Sequence, residues 1–220
     1  MGRMRDVVSD RRPRHPLFAR MFARMSPAMD AGGGADHRRR LLAGARGRVI
    51  EVGAGAGANF AHYPPAVTGV LAVEPEPYLR RLAGEAAARA PVPVEVVDGV
   101  ADRLPAGDGA FDVAVASLML CSVHDQRAAL LEMRRVVRPG GQLRFYEHVR
   151  AGTPGLRRAQ RVVDATVWPL LLGGCHTSRD TAAAIEAAGF VIDRLDRFAF
   201  PEGRLPNPSS PHILGTATRP

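Results

Sequence analysis

Hydrophobic positions along the chain follow two periods in turn. Leu17, Phe18, Met21, Phe22 and Met25 recur at spacings of three and four, which predicts a helix over 15–29 with one apolar face. Gly32-Gly33-Gly34 interrupts it, and the Arg38, Arg39, Arg40 cluster opens a short helix leading to Leu41 and Leu42. From residue 48 onward, short β-branched runs alternate with helical stretches. Strands are predicted at 48–52, 67–73, 92–97, 111–116, 142–146, 190–195 and 212–217. Helices are predicted at 59–63, 76–89, 126–137 and 156–172, with a last one started by a cap at Thr177 and Asp180 and running through Thr181 to Ala188. Arg138-Pro139-Gly140-Gly141 reads as a stop and turn. This alternation predicts an α/β fold, a Rossmann-like doubly wound seven-stranded sheet with the last strand antiparallel. Ligands of such sheets bind at the carboxyl ends of the strands. Residues 1–45 form a basic amphipathic helical arm or lid in this scheme, and 46–220 the sheet domain.

Composition narrows the function classes. A chain of 220 residues, 46% hydrophobic, is long enough for one domain with a buried core. All 30 basic residues are Arg, which excludes Schiff-base lysine chemistry and the lysine-dependent phosphate loop. Residues 1–48 hold 12 Arg against 4 Asp, whereas residues 49–220 hold 18 Arg against 18 acids, so the positive charge belongs to the arm and the body is neutral. A neutral body argues against a nucleic-acid partner. Solvated arginine is the favoured account of the arm, and peripheral contact with an anionic membrane surface is its rival. Two cysteines are too few for a disulfide framework, so a reducing cytoplasmic setting is expected; no run of about 18 apolar residues suggests a membrane span.

The chemistry concentrates around one motif. A strand runs into Gly53-Ala54-Gly55-Ala56-Gly57 and then a short helix at Asn59, an arrangement that brings a ligand against bare backbone. Dinucleotide-binding enzymes use the same device, but Glu51, two residues before Gly53, suits a cationic ligand and would repel a pyrophosphate. Glu74 ends the second strand, where an acid reaches ribose hydroxyls.

Together with Asp98-Gly99-Val100-Ala101-Asp102-Arg103-Leu104-Pro105, Phe111-Asp112-Val113 and Arg138-Pro139-Gly140-Gly141, these residues resemble class I S-adenosylmethionine-dependent methyltransferases of the methyltransferase type 11 group. The resemblance covers nearly everything from Arg48 onward. It implies S-adenosylmethionine as cofactor, held by Glu51, Gly53, Ala54, Gly55, Gly57, Asn59, Glu74, Pro75, Val100, Ala101, Ser117 and Leu118. Val100 departs from the family, which often has an acid there for the adenine amino group. Amino-methylating DNA enzymes of this fold carry an Asn- or Asp-Pro-Pro-Tyr motif where this chain has Ser117-Leu118-Met119-Leu120. Leu118 to Val123, Glu147-His148-Val149 and Gly174-Cys175 through Thr177 carry a narrower likeness to the alkyl-thiol S-methyltransferases and their bacterial relatives. Vertebrate members have an apolar membrane anchor where this chain has its Arg-rich arm, so membrane residence is not carried over.

The resemblance implies methyl transfer to a small apolar acceptor by direct in-line displacement, with a thiol favoured. The alternative is O-, N- or C-methylation of a quinone, a phospholipid headgroup or a natural product. A non-catalytic binding module for this cofactor or for NAD is the rival from outside enzymes. A thiol needs little general-base help. The base candidates are His148, Glu147 and His124, with Glu147 and His148 on opposite faces of their strand. Asp125 doubles as a helix N-cap. Trp168, Leu170, Leu171 and Leu172, with the 17–25 face, are candidates to line an acceptor pocket. Cys121, Cys175 and His176 are a scattered set, and no metal is expected.

Overall fold

The computed structural model describes residues 16–201 and 207–220. Its elements are α1 (Pro16–Met29), α2 (Ala35–Leu42), β1 (Gly47–Val52), β2 (Val67–Val73), α3 (Pro77–Ala87), β3 (Val94–Val97), β4 (Phe111–Ser117), α4 (Gln126–Val136), β5 (Val137–His148), α5 (Pro154–Asp164), α6 (Trp168–Leu171), α7 (Thr181–Ala187), β6 (Val191–Ala199) and β7 (Pro211–Thr218). A 3-10 turn, Phe60–His62, replaces the helix predicted at 59–63. One seven-stranded sheet runs in the order β3-β2-β1-β4-β5-β7-β6, and β7 is antiparallel to both neighbours. That is the predicted topology.

Alternation along each strand divides the core between the two faces. Val49 and Ile50, Phe145 and Tyr146, and Ile213 and Leu214 are neighbours in sequence that enter opposite clusters. Ile50, Phe145 and Ile213 pack with Leu130 and Met133 of α4 and Ile185 of α7. Val49, Tyr146 and Leu214 pack with Leu41 and Leu42 of α2, Phe60, and Ala83 of α3. Helix α2 therefore belongs to the body, although it falls within the predicted 1–45 arm. Buried Arg144 of β5 fastens it, donating to the carbonyls of Leu41 and Ala43 at 3.0 and 2.7 Å, where a helix C-terminus offers unpaired acceptors.

Several boundaries differ from the sequence pattern for identifiable reasons. The stretch predicted as one helix over 156–172 is two, because Asp164 turns to accept from the amides and hydroxyls of Thr177 and Ser178. Thr177 is thereby buried, and Asp180 alone caps α7 by accepting from Ala183. Arg138-Pro139-Gly140-Gly141 is an irregularity inside β5, not a stop: the register with β4 slips between Phe111 and Val113, and Gly140 takes φ +72°. As predicted, Asp125 caps α4, accepting from Ala128 at 2.9 Å. Among the described residues no helix is long and apolar enough to cross a membrane.

Candidate active site

Strand β1 delivers the glycine loop at the centre of the sheet. Gly53, Gly55 and Gly57 all take positive φ, +70°, +57° and +82°, which L side chains rarely adopt. A Cβ at Gly53 would lie 2.8 Å from Cβ of Met119, and one at Gly57 would lie 2.7 Å from the Phe60 ring. The loop is thus bare backbone by necessity. Helix α1 lies across it: a Cβ on Gly55 would meet the Phe22 ring at 3.5 Å, and one on Gly173 the Phe18 ring at 2.5 Å. Close approach needs small residues between those rings, and Ala19 and Ser26 are the buried positions of α1. The packed stripe is therefore rotated from the expected one: Leu17 and Met21 turn outward, and Met25 is half-exposed.

Both predicted acids sit at this loop. Glu74, at the end of β2, accepts from the amides of Gly55 at 2.8 Å and Glu76 at 2.9 Å, which fixes its carboxylate beside the glycines. Burial pushes its pKa up, and those two N–H donors oppose the rise. Glu51 is buried, with both oxygens occupied: Asn59 donates at 2.9 Å and the Tyr63 hydroxyl at 2.6 Å. Burial raises its pKa from 4.5 to about 7 against the opposing pull of those bonds and of Arg38. Direct exposure of Glu51 to a ligand, as expected from the sequence, is therefore replaced by a network. In it, Arg38 donates to Asn59 at 3.0 Å, to Asp30 at 2.9 Å and to Ser117 at 3.5 Å. Pro75 follows Glu74, and its carbonyl accepts from Arg80. Ala54 is buried, while Val100 and Ala101 are half-buried past the end of β3, where Val100 bridges to Arg103.

The carboxyl ends of β4 and β5 form the other half of the crevice. Leu118 takes φ +56°, a conformation costing about 1–2 kcal/mol for a residue with a Cβ. The turn it makes aims the amides of Met119, Leu120 and Cys121 at one carboxylate, that of Glu147, at 3.0, 2.9 and 3.2 Å. Glu147 is fully buried, and burial pushes its pKa up. It holds the turn, which takes it out of the set of candidate bases. Arg179 closes the same turn by donating to the carbonyls of Leu120 and Val123. His124 lies exposed beyond it.

His148 faces the other way, as the strand alternation requires. Its Nδ1 lies 3.6 Å from Sγ of Cys121 and 3.9 Å from Sγ of Cys175, and its ring packs against that of His212 at 4.4 Å. It is His148, not His176, that joins the two sulfurs; His176 turns its Nδ1 to the carbonyl of Gly174. The thiols are coupled. The contact with Cys175, then burial, pushes the Cys121 thiol up. His148 also lines a cavity of about 370 Å³ with Met25, Met29, Phe200, Pro201 and His212. Leu170 and Leu171 are exposed and do not line it. Two of its residues, Phe200 and His212, carry no catalytic signal in the sequence. His212 is placed by the register of β5 with β7, directly opposite His148. Burial, then the charge of His148, pulls its pKa down to about 3, so it is a neutral wall of the cavity at ordinary pH.

The model of the family described as a methyltransferase domain matches residues 50–145. Thiol S-methyltransferase TMT1B of Homo sapiens is 37% identical over 183 residues, 81% of this chain and 74% of that protein, and TMT1A of Homo sapiens is 35% identical over the same shares. The chain belongs to the thiol S-methyltransferase family. Demethylmenaquinone methyltransferase of Mycobacterium tuberculosis is 52% identical, but over 60 residues, 27% of this chain.

Solved structures agree with the fold of this family member. A SAM-dependent methyltransferase from Thermotoga maritima has a TM-score of 0.67 at 18% identity, covering 93% of this chain and 98% of its own. Geranyl diphosphate methyltransferase in complex with SAM has a TM-score of 0.64 at 13% identity, covering 86% of this chain and 85% of its own. The cyclase SpnF has a TM-score of 0.63 at 19% identity, so the fold alone does not fix the chemistry. This thiol S-methyltransferase family member is a class I S-adenosylmethionine-dependent methyltransferase. Its bare glycine loop and fixed Glu74 fit that cofactor.

Proposed function

We propose that this enzyme methylates the sulfur of a small apolar thiol. The observation that carries the reading is the extent of the likeness to the thiol S-methyltransferases. It runs over 183 residues, nearly twice the span of the cofactor-binding family model, and so takes in the acceptor side of the crevice. The quinone alternative rests on a match of 60 residues, 27% of this chain.

The bound cofactor supplies a methyl carbon made electrophilic by the sulfonium it sits on. The rest of the work belongs to this chain. Gly53, Gly55 and Gly57 would admit the cofactor's methionine part against their backbone, Glu74 would hold the ribose, and Val100 and Ala101 would flank the adenine. Ser117 and Leu118 place the turn that separates this half from the cavity. Helix α1 meets the glycine loop through Phe22 and lines the cavity through Met25 and Met29, so it touches both halves. Holding acceptor sulfur and methyl carbon in line is worth on the order of 7–11 kcal/mol, so no covalent enzyme intermediate is required. A free thiol with pKa near 8.5 is a few per cent thiolate at neutral pH, and the wall of Met25, Met29 and Phe200 suits an alkyl rather than an ionic substituent.

Release of S-adenosylhomocysteine from purified protein tests this against alkyl thiols, hydrogen sulfide, catechols, quinols and amines. Turnover confined to thiols is the expected result. Turnover with catechols or quinols and none with thiols would replace the acceptor atom.

A further inference from the structure

The two cysteines and the histidine of the acceptor side come from three separate parts of the chain. Cys121 follows β4, His148 ends β5, and Cys175 follows α6. The turn that carries Cys121 is held by bonds that owe nothing to a ligand. Glu147 accepts from the Cys121 amide, the amide of His176 donates to the Cys121 carbonyl at 2.9 Å, and Arg179 clamps the turn on either side. Their donor atoms all lie within 4.8 Å of one another, with nitrogen–sulfur distances of 3.6 and 3.9 Å. A tetrahedral zinc ion with Zn–S of about 2.3 Å and Zn–N of about 2.0–2.1 Å sets its ligands about 3.5 Å (N to S) and about 3.8 Å (S to S) apart. Ordinary packing of two thiols and an imidazole does not require that all three donors gather within 4.8 Å with both nitrogen–sulfur distances near the tetrahedral value.

We propose that Cys121, Cys175 and His148 bind a thiophilic divalent ion of the zinc class through three protein ligands, leaving a fourth position open to the acceptor. Two thiolates and one imidazole are a donor set that selects zinc over magnesium or calcium, and three protein ligands with one open position is the pattern of catalytic rather than structural zinc. His148 is also part of the cavity wall, so an acceptor in the cavity approaches the ion from there. The acceptor half of this proposal rests on the thiol reading above. A thiol entering the fourth position gives up its proton to solvent and binds as thiolate. A sulfur lone pair then forms the new S–CH3 bond as the bond from methyl carbon to sulfonium sulfur breaks, leaving a thioether and S-adenosylhomocysteine. Zinc changes no oxidation state.

Metal-stripped protein titrated with zinc, and separately with cobalt(II) as a spectroscopic stand-in, tests the site. The expected result is one ion per chain, with tetrahedral cobalt bands and a sulfur-to-cobalt charge-transfer band. Cys121→Ser and Cys175→Ser should each weaken binding at least about a hundredfold, since even groups that merely orient a ligand cost 10–100-fold when removed. His176→Ala should leave binding unchanged, and S-adenosylmethionine binding reports that each variant is folded. Adding an alkyl thiol should shift the cobalt bands. Substoichiometric binding, or binding that survives both cysteine substitutions in folded protein, would overturn the site. Bands indifferent to thiol would overturn the open position. Full thiol turnover by metal-free protein would remove the ion from the reaction while leaving the S-methyltransferase reading intact.

Discussion

Arg38 offers the sharpest test of how the arm and the cofactor site are joined. It is one of three consecutive arginines, yet it alone is buried, and its guanidinium bridges Asp30, Asn59 and Ser117. Asn59 in turn donates to Glu51, so two side chains, Arg38 and Asn59, link Asp30 to the carboxyl group beneath the glycine loop. Substitution by Met keeps much of the apolar stem and removes the charge. Hydrogen bonds to charged groups contribute about 1.5–3 kcal/mol each, and the Ser117 contact, at 3.5 Å, is at the edge of bonding. Two good bonds are offset by the cost of keeping a guanidinium out of water, and Asp30 remains about a quarter exposed. The net loss expected for Arg38→Met is about 2–4 kcal/mol, read from the urea midpoint at unchanged slope. The control is Arg39→Met: Arg39 is more than half exposed, paired with Asp36 at the surface, and its loss should stay within about 0.5 kcal/mol. Calorimetric titration with S-adenosylmethionine should show about tenfold weaker binding for Arg38→Met in conditions where it is folded. Equal stability losses for the two arginines, with unchanged cofactor affinity, would refute the network.

Other consequences follow from the same geometry. Burial raises Glu51 from 4.5 to about 7, so the folded chain keeps a proton that the unfolded chain has lost; the stability this confers is full below about pH 4.5 and is lost as pH rises through about 7, about 3 kcal/mol in all. Glu51→Gln, which can still accept from Asn59 and donate to Tyr63, should therefore gain on wild type by up to that amount between pH 5 and 8 in urea titrations, and parallel curves would contradict it. Glu74→Gln removes the charge proposed to hold the ribose and should weaken S-adenosylmethionine binding about tenfold or more by calorimetry, whereas a change under twofold would move the ribose elsewhere. Removing residues 1–29 takes away Phe18, Phe22 and Met25 but spares Asp30 and α2, so thiol turnover should fall far more than cofactor affinity; equal loss of both would sink the role of α1 as a lid.

What the sequence makes legible is whatever depends on local pattern. The glycine loop, the acid closing β2 and the alternation of strands and helices are each contained in runs of a dozen residues or fewer, and the sheet follows the expected order. One boundary moved where a side chain intervened: Asp164 broke the 156–172 helix to serve Thr177 and Ser178. By charge alone Arg38 is indistinguishable from its two neighbours. Its helical phase carries the missing signal: Arg38, Leu41 and Leu42 stand at i, i+3 and i+4 and share the face that packs on the sheet.

The acceptor side is harder because its parts meet only through topology. Cys121 and His148 are 27 residues apart, and so are His148 and Cys175. The first pair is in principle deducible: β4 and β5 are parallel neighbours, so residues just past Ser117 must lie beside those opposite Tyr146. The strand alternation then sends Glu147 under the turn and His148 into the crevice, two adjacent polar residues with opposite fates. Cys175 has no such rule to place it. It arrives through a loop whose course depends on Gly174, where a Cβ would stand 2.7 Å from the carbonyl of Ser122, and on one backbone bond from His176 to Cys121. The tight approach permitted by that glycine is what turns a cysteine–histidine pair into a three-donor cluster. A side chain at 174 should therefore disturb the sulfur geometry before it disturbs the sheet.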